Sequence, residues 1–157
     1  MTAEQCTREQ LLRVVRNAPA ASTPAARALM QRNRRRDSLA EVQLRRALHG
    51  QGLRFRVDFP IRCGSGRPIR PDIVFTKARL AVFVDGCFWH GCPDHGRRPK
   101  ANSGYWSAKI ALNQDRDRRQ TTMLAAAGWT VLRVWEHEPA NEAAEAVASA
   151  WARTAKP

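Results

Sequence analysis

Leu80-Ala-Val-Phe-Val84 is five apolar residues in a row, closed by Asp85 and followed at once by Gly86-Cys-Phe-Trp-His-Gly-Cys-Pro-Asp-His95. An unbroken apolar run of this length predicts a strand buried on both faces, which belongs in the middle of a sheet. Working upstream, Lys77-Ala-Arg79 joins it as a hairpin to a second strand, Asp72–Phe75, and the alternation in Phe55–Phe59 predicts a third. Farther back, Ser38 and Glu41 stand at capping-box spacing, so a helix starts there and runs to His49. Leu39, Val42, Ala47 and Leu48 supply its buried stripe, Gly50 stops it with a left-handed cap, and Arg45 and Arg46 stay on the wet side. Downstream, a long helix occupies Trp106 to Ala127 and ends at Gly128, Trp129–Trp135 forms a fourth strand, and Glu142–Arg153 is an amphipathic helix with Val147 and Trp151 facing inward. The order α-β-β-β-α-β-α predicts an α/β domain with a mixed central sheet flanked by helices.

The chain has 157 residues, with 27 Lys+Arg against 14 Asp+Glu and a formal charge of +13. That excess points to an acidic polymer as partner. It sits on a sequence that is 43% hydrophobic, enough for a core, so the chain is not disordered throughout. No run approaches the roughly 18 apolar residues of a membrane span, and the first ten residues lack the apolar core of a secretion signal. The expected setting is the cytoplasm, at the nucleoid, with no membrane partner. Residues 1–26 read as an Ala/Pro-punctuated leader with a short helical stretch at Leu11–Val15, and 27–157 as one domain that includes a basic arm at 27–37. The arm carries five arginines between Arg27 and Arg36, among them Arg34, Arg35 and Arg36. Such a run is either a solvated arm or one that neutralises phosphates.

The chemistry concentrates after Val84. Cys87, His90, Cys92 and His95 fall within nine residues, and His137 follows the last strand. Zinc takes four ligands of this kind, and Cys-x4-Cys-x2-His offers three from one loop. Five candidates for four places leave one over, and a spare histidine beside a carboxylate is a candidate general base. Asp72 opens one strand and Asp85 closes the next, so the sheet brings two carboxylates together where they can hold Mg²⁺ through oxygen ligands. Trp106, Ile110, Asn113 and Asp117 share one face of the long helix. Asp117 either borders a polar site or joins a solvated ladder with Arg116, Arg118 and Arg119. Cys63, in the loop from Arg62 to Pro71, reads as a small hydrophobe.

Cys87-Phe-Trp-His90, preceded by Pro71-Asp72 and followed by Trp106, Asn113-x3-Asp117 and Gly128-Trp129-x-Val131-x4-Glu136, resembles the very-short-patch-repair (Vsr) DNA mismatch endonucleases from about Met30 to Glu138. The resemblance implies a restriction-endonuclease-like fold with a structural zinc site, and an enzyme that nicks one strand 5′ to the thymine of a T·G mismatch left by 5-methylcytosine deamination. It implies that Asp72 is a direct Mg²⁺ ligand joined by the main-chain carbonyl of Val84, that His90 is the general base, and that Asp117 orients it. Glu41 would contact a water on the metal. Asp85 stands where the best-known branch has a histidine, and its carboxylate would bind Mg²⁺ directly or through water. Cys87, Cys92, His95 and His137 would hold the zinc. Phe88, Trp89 and Trp106 would wedge into the base stack from one groove and Met30 from the other. The implied partner is double-stranded DNA with a T·G mismatch, with mismatch-repair proteins as further partners, and because a single-strand nick needs only one active site the expected state is a monomer. Two other readings use the same residues: a strand-nicking or restriction-type nuclease of other specificity, and a non-catalytic zinc-stabilised DNA-binding module.

Overall fold

A computed structural model describes residues 3–20, 23–25, 28, 37–96 and 100–155 of the chain. Met30, Arg34, Arg35 and Arg36 lie outside the described residues. No helix among the described residues is long and apolar enough to cross a membrane. The described chain divides into two units. One holds Asp37–Gly86 with the stretch that follows Asp117; the other holds Cys87–Asp117 with the N-terminal helix.

The first unit is built on a four-stranded mixed sheet in the order β1 (Arg56–Val57), β2 (Ile73–Phe75), β3 (Leu80–Asp85), β4 (Thr130–Trp135). β1 and β2 are antiparallel, as are β2 and β3, while β3 and β4 run parallel with Leu80 opposite Thr130 and Asp85 opposite Trp135. The apolar run at 80–84 is central, as expected, and Leu80, Ala81 and Val82 are fully buried. Two helices, α2 (Leu39–Gly50) and α5 (Ala140–Thr154), cover one face, where Leu44, Leu48, Ala144 and Val147 pack on Ile73, Phe75, Leu80 and Val82. On the other face Val74, Ala81 and Phe83 meet Leu124, Ile61 and Ile69, with Trp129 and Cys63 packed against them. Cys63 thus behaves as the small hydrophobe expected. Ile61 and Ile69 close their loop by exchanging N–H···O bonds of 2.8 and 2.9 Å.

Several local expectations are corrected. The third predicted strand shrinks to Arg56–Val57, because Asp58 adopts a left-handed backbone (φ +50°) and Pro60 has no N–H to donate. The capping box at Ser38 and Glu41 forms. The buried stripe of α2, however, is Glu41, Leu44 and Leu48, and Leu39 is 73% exposed because it lies off that stripe. The helix continues through Gly50, and the left-handed residue is Gly52 (φ +79°). Arg45 turns inward to the Glu41 and Asp37 carboxylates. Val147 is fully buried, but Trp151, one turn on, is 36% exposed. It lines an open groove of about 770 Å³ with Phe55, Phe75 and Lys77.

The second unit carries α1 (Ala3–Arg16), α3 (Cys87–His90) and the first part of α4 (Ser103–Ala126). α1 is longer than the Leu11–Val15 stretch expected, since no Pro or Gly interrupts residues 3–16. Arg8 reaches Asp115 on α4 at 3.4 Å. α4 ends where expected, with Gly128 left-handed (φ +77°) and Trp129 N–H donating back to Leu124 O.

Candidate active site

In the sheet unit, the chemistry gathers at the ends of β2 and β3. Asp72 precedes β2 by one residue, and its Oδ2 accepts the Val84 N–H at 2.8 Å. A strand residue directs its N–H and C=O to the same side, so the Val84 carbonyl faces this edge as well. Burial pushes the Asp72 carboxyl up to about 6. The Val84 N–H works against that rise, the Glu41 and Asp85 carboxylates add to it, and Arg45 opposes it. Glu41 is itself largely buried: its Oε2 accepts from Asp37 N–H at 3.0 Å and from Arg45 at 3.0 Å. Its backbone N–H is capped by Ser38 Oγ at 3.3 Å. Asp85, 6% exposed, is gripped by Arg133, whose Nε and Nη2 lie 2.7 Å from Oδ2 and Oδ1. The sheet therefore does bring together Asp72 and Asp85 as the spacing implied, with Glu41 beside them. Clustered, buried oxygen donors fit a hard divalent cation such as Mg²⁺, which would keep the Asp72 carboxylate ionised against the rise that burial imposes.

In the helical unit, the His90–Asp117 pair is set by a four-residue turn against α4. His90 Nδ1 lies 2.5 Å from Asp117 Oδ2, and Arg116 meets the other oxygen of Asp117 at 3.1 Å. With Nδ1 carrying the proton given to the carboxylate, Nε2 presents its lone pair. The backbone of the turn is fastened too: Asn113 Nδ2 donates to Trp89 O at 2.9 Å, and Gln114 Nε2 donates to His90 O at 3.1 Å. A short helix leaves its last carbonyls without intrahelical partners, and these two side chains fill that need. Gly91 has φ +66°, and a Cβ there would lie 2.8 Å from Gln114 Nε2. Glycine takes that turn without strain and leaves the Gln114 amide its room. The polar stripe on α4 is explained: Asp117, 8% exposed, borders a polar site, and its contact with Arg116 accompanies that role.

The ligand atoms of Cys87, Cys92 and His95 lie within 4.8 Å of one another, two thiols and an imidazole of the sort zinc takes. The Cys92 N–H donates to Cys87 O at 2.9 Å, so one backbone turn brings the two thiols together. His137, in the sheet unit, is exposed just past β4 and stacks on Trp135 at 6.4 Å between ring centroids. Phe88, Trp89 and Trp106 form an edge-to-face cluster with centroids 5.0 to 5.9 Å apart. Tyr105 extends it at 5.1 Å from Trp106, and Lys109 Nζ lies within 6.0 Å of the Trp89, Tyr105 and Trp106 rings.

Sequence reasoning missed Arg133, Arg45, Gln114 and Lys109. Arg133 carried a signal, a lone charge inside the apolar strand Thr130–Trp135, and Arg45 stands four residues after Glu41, the spacing of a helical ion pair. Gln114 and Lys109 have no comparable mark.

A family model described as DNA mismatch endonuclease Vsr matches residues 21–95. The type II nicking enzyme V.NaeI of Lentzea aerocolonigenes is 54% identical over 118 residues, covering 75% of this chain and 71% of that protein. V.XorIIP of Xanthomonas oryzae pv. oryzae, also a type II nicking enzyme, is 45% identical over 116 residues, covering 71% of this chain and 79% of its own length. The DNA mismatch endonuclease Vsr of Escherichia coli is 40% identical over 102 residues, covering 64% and 62% respectively.

Proposed function

The chain belongs to the Vsr family of DNA mismatch endonucleases, and from that premise we propose that it nicks one strand of duplex DNA 5′ to the thymine of a T·G mismatch, in a Mg²⁺-dependent reaction, so starting very short patch repair. The observation that carries this reading is the His90–Asp117 pair at 2.5 Å, directly after the Cys-Phe-Trp sequence. It is the arrangement of a general base with its orienting carboxylate. Asp72 and the Val84 carbonyl would hold Mg²⁺, and Glu41 would bind a water of its shell. When bound, the metal polarises the phosphate and stabilises the leaving oxyanion. His90 Nε2 takes the proton from the attacking water, and Asp117 holds Nδ1–H so that the ring keeps the useful tautomer as charge develops on it.

In the same proposal zinc is structural, held by Cys87, Cys92, His95 and His137 within a restriction-endonuclease-like domain at 27–157. Phe88, Trp89 and Trp106 enter the base stack beside the mismatch, and Met30 enters from the opposite groove. Unstacking costs a few kcal/mol per step and least at a mismatch, which favours the lesion. Arg34, Arg35 and Arg36 neutralise backbone phosphates. The enzyme acts as a monomer on nucleoid DNA.

A second reading keeps the site and changes the specificity. It is favoured by the names of the two relatives at 54% and 45% identity, both type II nicking enzymes. One experiment separates the two: nicking of an end-labelled duplex with one T·G mismatch, against the matched T·A duplex, with Mg²⁺ and with EDTA. Cleavage of the T·G duplex alone, abolished by EDTA and by His90→Ala, supports the mismatch enzyme. Equal cleavage of both duplexes supports the second reading, and binding without cleavage under any metal overturns both.

A further inference from the structure

Asp85 ends β3, and Arg133 projects from the adjoining parallel strand at the position opposite Phe83. The guanidinium meets both carboxylate oxygens at 2.7 Å, and its carbon lies 4.6 Å over the Phe83 ring. Two parallel N–H···O bonds from a stacked, planar group form the strongest grip that a side chain exerts on a carboxylate, and a lysine cannot reproduce it. The pair is secluded, with the Asp85 side chain 9% and the Arg133 side chain 24% exposed. Asp72 Oδ2 accepts the N–H of Val84, the residue before Asp85, at 2.8 Å, so the pair stands beside the carboxylate proposed to hold Mg²⁺.

Sequence alone made Asp85 a ligand candidate, but the geometry gives it other work. An inner-sphere Mg²⁺ ligand must approach to about 2.0–2.1 Å in octahedral geometry. At Asp85 that would set a divalent cation against a guanidinium bound to the same two oxygens. Resting on the reading of Asp72 as the metal ligand, we propose that Arg133 is a positioning residue of the nicking site: it keeps Asp85 out of the metal's inner coordination sphere and holds it as a fixed negative charge beside Asp72. The pair takes no part in bond breaking. Its effect is to leave the cation on Asp72 and the Val84 carbonyl, with the remaining positions open to water and phosphate.

The test is Mn²⁺ binding to the full-length, DNA-free protein, measured by calorimetry and by electron paramagnetic resonance, with thermal unfolding to show that each variant folds. Replacing the whole pair, Arg133→Gln with Asp85→Asn, removes one positive and one negative charge and is expected to leave Mn²⁺ affinity within threefold of the starting protein. Arg133→Gln alone frees the Asp85 carboxylate and is expected to tighten Mn²⁺ at least fivefold. Arg133→Lys, which keeps the charge without the two-point grip, is expected to tighten it about threefold. Weakening beyond threefold in the protein lacking the pair would show Asp85 to be a ligand and overturn the proposal, as would unchanged affinity in both single variants. Asp72→Asn is the separate control: if it binds Mn²⁺ as the starting protein does, the metal site itself has been misread, whatever Arg133 does.

Discussion

His90 Nδ1 and Asp117 Oδ2 stand 2.5 Å apart, joining a four-residue helix to the middle of a 24-residue one. The contact fixes the ring's tautomer and its direction at once, which a general base requires. His90→Ala is expected to lower single-turnover nicking by about 10²–10⁴-fold, and Asp117→Asn by at least tenfold with little change in DNA affinity. Rapid-quench nicking beside equilibrium DNA binding checks both. A loss of binding in parallel with the loss of rate would mean that the pair holds DNA rather than moving a proton.

Asp72 should make the protein less stable where it is ionised. Its carboxyl titrates near 6 in the folded chain against an ordinary value of 3.8. Between those values the folded state binds the proton and the unfolded state does not, so stability falls as pH rises from about 4 to about 6 and stays low above. The difference corresponds to about 3 kcal/mol at most. Asp72→Asn, which keeps an acceptor for the Val84 N–H, is expected to raise stability by about 1–3 kcal/mol at pH 7.5 without metal and to leave it unchanged at pH 4, while abolishing nicking. Urea unfolding at the two pH values decides the point; an equal effect at both would show that the carboxyl is not displaced.

Ser38 and Glu41 close the N-terminus of α2 reciprocally. Ser38→Ala is expected to cost about 1 kcal/mol. Glu41→Ala also deprives Arg45 of its buried partner, and about 2 kcal/mol is expected. Denaturant midpoints with unchanged m-values would check both numbers. Ser38→Ala should leave Mn²⁺ affinity untouched.

Zinc, if held as proposed, should copurify at one ion per chain by elemental analysis, and a strong chelator should lower the unfolding temperature without added denaturant. Cys92→Ser and His137→Ala should each deplete the metal. Retention of full zinc by His137→Ala would remove that residue from the ligand set.

Much of this molecule was legible locally. The apolar run Leu80–Val84 could only be a central strand, the Ser38–Glu41 spacing placed the start of α2, and Gly128 placed the end of α4, because each depends on backbone chemistry within a few residues. The Cys-Phe-Trp-His sequence likewise marked the turn at which Cys87, Cys92 and His95 gather. Periodicity erred where burial depends on what packs opposite. Leu39 and Trp151 have the apolar character of core residues, but Leu39 falls off the stripe that meets the sheet, and Trp151 lines an open groove.

Charge was the other thing that sequence could not place. Arg45 and Arg133 are two arginines among many in a chain of charge +13, and the local marks they carry, a spacing of four from Glu41 and a place inside an apolar strand, do not say which carboxylates each one holds. Only the parallel pairing of β3 with β4 sets Arg133 beside Asp85, and only the turn of α2 toward the sheet seats Glu41 and Arg45 near Asp72. Residue types and local patterning decided that this is an α/β, DNA-directed protein with a Cys/His-rich site. The tertiary structure decided which carboxylates are held by arginine and which carries a raised pKa, because a charge buried in a low-dielectric setting is governed by neighbours distant in the chain.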